Sequence, residues 1–158
     1  MEIIYKTGNL LDAQTDVIAH QVNCQGVMGS GVAKQIREKW ANVYAAYRSE
    51  YDLFTDLNKS LLGNCQLVKV NDNQHVANLF GQKYYGRDGR RYTSYDAIYD
   101  ALTNLAVKMM DNGMKSLAIP YKMSSDRGGA DWDVILTMIK SPLVFGNTEI
   151  TIEIWKLG

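Results

Sequence analysis

An α/β fold, with a mixed sheet held between helix layers, is the class this sequence predicts. Three observations point there. Short apolar runs of strand character alternate with segments whose apolar residues recur at helical spacing. Residues 16–22 are mostly apolar, as a strand at the centre of a sheet must be. Three glycines within six residues, Gly26, Gly29 and Gly31, then join that strand to a helical pattern.

In chain order, Glu2–Thr7 reads as a first strand, closed by Gly8-Asn9, and residues 16–22 as the second. From Gly31 to about Tyr51 the residues Val32, Ile36, Trp40, Val43, Tyr44, Tyr47 and Tyr51 keep helical spacing, which predicts one long helix. Residues 65–70 and 75–80 are β-like, and Asn71-Asp72-Asn73 between them signals a hairpin. Tyr95, Ile98, Leu102, Leu105 and Met109 mark a second amphipathic helix, with Gly113 at its C′ position. Residues 116–119 form a buried strand ended by Pro120. Asp131 can cap a third helix whose buried side carries Trp132, Ile135, Leu136 and Ile139. Residues 149–155 alternate, with Ile150, Ile152 and Ile154 on one face. Hairpin-like pairs are expected at two points of this order.

The chain has 158 residues, which predicts one domain spanning 1–158. At 46% hydrophobic and 22% charged residues it has the composition of an ordinary globular protein with a real core. Lysine plus arginine balance aspartate plus glutamate, 17 against 17, so bulk attraction to nucleic acid or anionic membrane is not expected. No apolar run approaches the roughly 20 residues of a membrane span, and no signal peptide is visible. Cys24 and Cys65 form no CxxC or Cys/His cluster, which argues against a disulfide framework or a zinc site. The expectation is a cytoplasmic, metal-free, cofactor-free monomer.

The segment 17–39 carries the chemistry. An apolar run delivers His20, Gln21 and Asn23, and the glycines follow at the mouth of a helix. Glycines there let a backbone approach a ligand closely, while the N–H groups of the helix start face an anion. This reads as a phosphate cradle. It is not a Walker A loop, because Val32 and Ala33 stand where Lys and a hydroxyl residue are needed. Nor is it a dinucleotide fingerprint, because Lys34 replaces the third glycine. A turn that merely packs helix on strand is the competing reading. In such sheets ligands bind beyond the carboxyl ends of strands. The loops 23–31 and 120–130 both meet that description and could flank one diphosphate.

GNLLDA near the start, IAHQVNCQGVMGSGVAKQIREKW, and IPY with GGADW late in the chain resemble the macrodomain family. The branch most similar contains terminal ADP-ribose glycohydrolase and the antitoxins that remove ADP-ribose from DNA. The resemblance implies a three-layer α/β/α fold that binds ADP-ribose. It places Gly8, Asn9 and Leu10 under the adenine, with Asn9 where many relatives have Asp; an Asn can still accept through its side-chain oxygen. Asn23 would contact the distal ribose. Gly29, Ser30 and Gly31 would donate main-chain bonds to the diphosphate, with Gly26 and Met28 as further ligand-binding residues of the same turn. His20 sits on the strand feeding it, and a hydrogen-bonded core histidine is the competing reading.

In that branch a lysine attacks the anomeric carbon of the distal ribose and a carboxylate assists proton transfer. The matching lysine is Lys83, in NLFGQKYYG, which Tyr84 and Tyr85 would shield and so desolvate. A solvated loop lysine is the bland alternative. The family's Gly-Cys-Gly run after IPY is replaced by Ser124-Ser125-Asp126, which puts the phosphate contacts of Ser124, Ser125, Arg127 and Gly128 in question. Asp126 becomes the candidate catalytic carboxylate; Asp131 is more simply a cap. Lys83, Tyr84, Tyr85, Arg87, Arg90, Arg91 and Tyr92 interleave basic and aromatic residues, suited to a weak nucleic-acid contact over 83–92 or to a solvated loop. The expected activity is hydrolysis of the bond joining ADP-ribose to a protein or nucleic acid. The alternatives are a reader without turnover, a phosphatase acting on ADP-ribose 1″-phosphate, and a divergent pocket serving another nucleotide or nothing.

Overall fold

The computed structural model describes residues 1–86, 90–125, 128–146 and 149–158. Its elements run β1 (Glu2–Thr7), a 3-10 turn (Leu10–Asp12), β2 (Val17–Val22), α1 (Gly31–Lys39), α2 (Ala41–Asp56), β3 (Cys65–Asn71), β4 (Gln74–Phe80), α3 (Tyr95–Asp111), β5 (Ser116–Pro120), α4 (Trp132–Lys140) and β6 (Thr151–Lys156). The six strands form one sheet in the order β1-β6-β5-β2-β4-β3. All neighbours are parallel except β3, which pairs antiparallel with β4.

Burial explains this order. Five of the six residues of β2 are buried, so the strand must be covered on both faces. Val17 and Ala19 face α3 and α4, with Ile98, Leu102, Ile135 and Ile152 in the same core. Ile18 and Val22 face the other way, toward Ile36, Val43, Tyr47 and Leu11. The result is a helix layer on each side of the sheet. Among the described residues no helix is long and apolar enough to cross a membrane.

Two expectations need correction. The long first helix is two helices that part at Trp40, whose backbone (φ −129°, ψ 87°) leaves the helical region. No glycine or proline marks the break, and the apolar spacing runs straight through it. Of the two hairpin-like pairs, only β3–β4 is a hairpin: β1 and β2 follow one another in sequence yet lie apart, with β6 and β5 between them. A strand as apolar as β2 takes the middle, and the amphipathic β1 is left at the edge.

The ends are pinned by polar side chains. Asp16, at the foot of β2, accepts from the amides of Lys115 (2.8 Å) and Ser116 (3.2 Å), and its own amide donates to Ser116 Oγ (2.7 Å). Asn112 closes α3 with Gly113 in the left-handed region behind it (φ 66°), as expected. Asp131 caps α4, its Oδ1 accepting from Asp133 N at 2.9 Å. Replacing Asp131 with Ala should therefore cost about 1 kcal/mol. Asp131→Asn should cost much less, because the acceptor stays. Urea midpoints at constant slope check both values.

Candidate functional site

The carboxyl ends of β2, β4 and β5 open into a cleft of about 540 Å³. Its walls come from the loop between β2 and α1, the segment after β4, the loop after β5 and Leu157 beyond β6. The two loops singled out from the sequence, 23–31 and 120–130, therefore face one space. No carboxylate lines it among the described residues, and Lys122 does.

The first loop ends in a helix start that is open. Ser30 occupies the N-cap position with extended backbone (φ −155°) but makes no side-chain cap bond. Among the described residues no acceptor meets the amides of Met28, Gly29, Ser30 or Gly31. Gly29, Ser30 and Gly31 line the cleft. Gly31 begins α1 at φ 61°, a conformation that L side chains rarely adopt. The Met28 side chain is 1% exposed and belongs to the core on the α1/α2 face, so it anchors the loop and leaves only its backbone for a ligand. Gly26 turns beneath, at φ 77°, and a Cβ there would run into the Arg48 guanidinium. Unpartnered amides at a helix start can donate to an anion.

Gln21 ties the opposite wall together. Its Nε2 donates to Gln82 Oε1 (2.7 Å) and Thr93 Oγ1 (2.8 Å), and its Oε1 accepts from Ser124 Oγ (2.6 Å). Thr93 Oγ1 donates in turn to the Ser124 carbonyl (3.0 Å). Ser124 takes the left-handed conformation (φ 70°) that a side chain resists, and its hydroxyl bond to Gln21 offsets a strain of about 1 kcal/mol. Gly128 is held as tightly: its carbonyl accepts from Tyr92 N and Thr93 N, and a Cβ would strike Thr93 Oγ1 and the Ser124 carbonyl. Ser125 Oγ is buried without a partner among the described residues. Gln82 and Thr93 were not foreseen, because nothing in their local sequence reports a partner sixty or more residues away.

Other expected residues lie differently. His20 is 1% exposed, and its Nε2 bonds Asn78 Oδ1 at 2.6 Å. Asn78 Nδ2 donates to Gln66 Oε1, and Gln66 Nε2 donates to Glu50 Oε2, so the Asn78 oxygen faces His20 and Nε2 carries the proton. That favours the core-histidine reading, although the residue borders the cleft floor. Gly8, Asn9 and Leu10 stand outside the lining residues, in the turn that follows β1. Asn9 Oδ1 already accepts from Leu11 N (2.9 Å) as a cap, and Leu10 is buried in the core.

The shielding expected for Lys83 is absent. Lys83 is exposed, and Tyr84 and Tyr85 are 55% and 54% exposed. The Lys83 Nζ rests 5.3 Å from the Tyr84 ring centre, outside the cleft wall. Its backbone is fixed to the first loop, because the Lys83 carbonyl accepts from Cys24 N (3.2 Å) and Tyr85 N donates to Gln25 Oε1 (3.0 Å). Burial pushes the neighbouring Cys24 thiol up to about 11, against the opposing pull of the Lys83 charge. Asp126 and Arg127 lie outside the described residues, as do residues 87–89 of the basic segment. Arg91 lies over Tyr95 at 4.5 Å, and Arg90 over Tyr92 at 5.5 Å.

Comparison with known proteins fits this geometry. A family model described as Macro domain matches residues 19–139, and the chain belongs to that family. It is 28% identical over 135 residues to the DNA ADP-ribosyl glycohydrolase of Mycobacterium tuberculosis, covering 83% of this chain and 36% of that protein. It is 27% identical over 134 residues to the ADP-ribose 1″-phosphate phosphatase of Debaryomyces hansenii, covering 78% of this chain and 71% of that one. The macrodomain of Mycobacterium tuberculosis DarG superposes with a TM-score of 0.80 at 23% identity, over 97% of this chain and 96% of that one. The chain thus spans about a third of the length of the glycohydrolase it matches.

His20 supplies a pH test. Burial, opposed by its bond to Asn78, lowers it from 6.5 to about 4 in the folded chain. Between those values the unfolded chain holds a proton that the native one refuses. Stability is therefore full above pH 6.5 and falls as pH drops toward 4, by about 3 kcal/mol in total. Subtracting the pH profile of His20→Gln from that of the parent, by urea denaturation, should recover this loss.

Proposed function

We propose that the cleft binds ADP-ribose and that the chain hydrolyses the bond joining ADP-ribose to a macromolecule. The observation that carries the binding half is the open helix start, whose free amides line the cleft beside no carboxylate among the described residues. A diphosphate supplies the acceptors those amides lack, and the α1 dipole favours its charge. The names of the relatives, each an enzyme acting on an ADP-ribosyl group, support the same ligand.

For turnover, Lys83 is the nucleophile. Its neutral amine attacks the anomeric carbon of the distal ribose, forming a C–N bond as the bond to the macromolecule breaks. The leaving group takes a proton, and Asp126 serves as the carboxylate that moves it. The sugar ring opens to an imine, water adds to it, and the lysine is released with free ADP-ribose. Bound substrate must cover the exposed lysine before its amine attacks. The attachment of Lys83 to the Asn23–Cys24 backbone supports its proximity to the reacting sugar. The basic and aromatic surface at Lys83–Tyr84, Arg90–Tyr92 and Arg91–Tyr95 suits a nucleic acid as the carrier. The exposure of Lys83 favours one competing reading, a reader of ADP-ribose without turnover.

Calorimetry with ADP-ribose should give saturable binding to the parent, with affinity for Lys83→Ala within about threefold of it. ADP-ribosylated DNA and protein should lose ADP-ribose to the parent and not to Lys83→Ala, and borohydride should trap an adduct on Lys83. Binding without release by the parent would establish the reader instead.

A further inference from the structure

The loop that opens the cleft is held from behind by a helix that does not line it. Asn23 begins this loop, and its side chain can be accounted for bond by bond. Its Oδ1 accepts from Gln25 N (3.0 Å) and lies within hydrogen-bond reach of the Tyr47 hydroxyl (2.7 Å), so both groups turn that oxygen toward the loop and α2. Its Nδ2 donates once, to the Val27 carbonyl (2.9 Å). Because a backbone N–H can only donate and a carbonyl only accept, Gln25 and Val27 leave the amide one orientation. One N–H remains, on a residue that borders the cleft. Toward a ligand, Asn23 is therefore a donor only.

Tyr47, on α2, closes this arrangement. Its oxygen accepts from Val27 N (3.1 Å), and its single proton is shared between the Asn23 carbonyl (2.8 Å) and Oδ1. The first part of the loop is thus gripped at residues 23 and 27 by one phenol. The ring is fully buried and stacks on Phe80, with centres 5.7 Å apart and planes 13° apart, so the hydroxyl has little freedom to move. Tyr44 Oη (3.3 Å) and Arg48 Nη1 (3.1 Å) both donate to the Gly26 carbonyl, holding the middle of the loop from the same helix. Burial also pushes the Tyr47 phenol above its ordinary range, so it remains an O–H donor.

We infer that Tyr47 is a positioning residue: its hydroxyl fixes Asn23 as a donor in the cleft, so that the ligand is met there by an acceptor oxygen. What supplies that oxygen rests on the proposed reading, in which a hydroxyl of the distal ribose does so. The grip on Asn23 does not depend on it.

Tyr47→Phe keeps the ring and removes the three contacts. Its ADP-ribose affinity should fall roughly tenfold at a temperature well below unfolding. The Asn23 side-chain amide resonances should shift or broaden in nitrogen-15 spectra. In an Asn23→Ala background the same change should lose most of its effect, because the two act through one contact. Ile139→Val, in the core on the other face, should lower stability and leave affinity alone, which separates positioning from general loosening. Parent-like affinity with unmoved Asn23 resonances in Tyr47→Phe would overturn the inference. Should the parent bind no ADP-ribose, the functional reading fails, and the Asn23 resonances of Tyr47→Phe still decide the positioning role: moved supports it, unmoved overturns it.

Discussion

Everything in this fold is arranged around a strand with no polar face to show to water. β2 is buried on both sides and apolar along most of its length, so it must be flanked by strands and covered by helices. That requirement sets the sheet order, sends β1 to one edge and the β3–β4 hairpin to the other, and assigns a helix layer to each side. It also decides where polar chemistry can sit. Polar side chains become affordable only near the strand's carboxyl end, where His20 and Gln21 each find buried partners and Asn23 meets the cleft. The cleft lies where the apolar demand of the central strand runs out.

The electrostatics follow from main-chain geometry more than from net charge. The chain is balanced overall, yet the cleft wall holds no carboxylate among the described residues, and an uncapped helix start points into it. A serine at the N-cap position would ordinarily turn its hydroxyl onto the free amides. Ser30 does not, and the amides are left for a ligand. That is a cost in helix stability at a helix start that borders the cleft.

Much of this was legible in the sequence because it is local. The apolar runs located the strands, the glycine-rich turn located one wall of the cleft, and Gly113 and Asp131 marked helix ends through chemistry acting within a few residues. What escaped depends on distance along the chain or on missing punctuation. The break at Trp40 carries no Gly or Pro and preserves the apolar spacing, so periodicity alone cannot see it. Gln21, Gln82, Thr93 and Ser124 look like four unrelated polar residues until the fold brings them within hydrogen-bond reach. The exposure of Lys83 could not be read either, because it depends on where the Tyr84 and Tyr85 rings point rather than on their proximity in sequence.

The serine at position 124 ties two properties of the cleft to one atom. A glycine would relax the left-handed backbone but deprive the Gln21 oxygen of its hydroxyl donor; the serine keeps that donor and accepts the strain. Backbone ease in one loop and polar satisfaction in the opposite wall are thus exchanged through a single hydroxymethyl group. A change at this position therefore alters the hydrogen bonding of Gln21, 103 residues away, and with it the wall that Gln21 ties together.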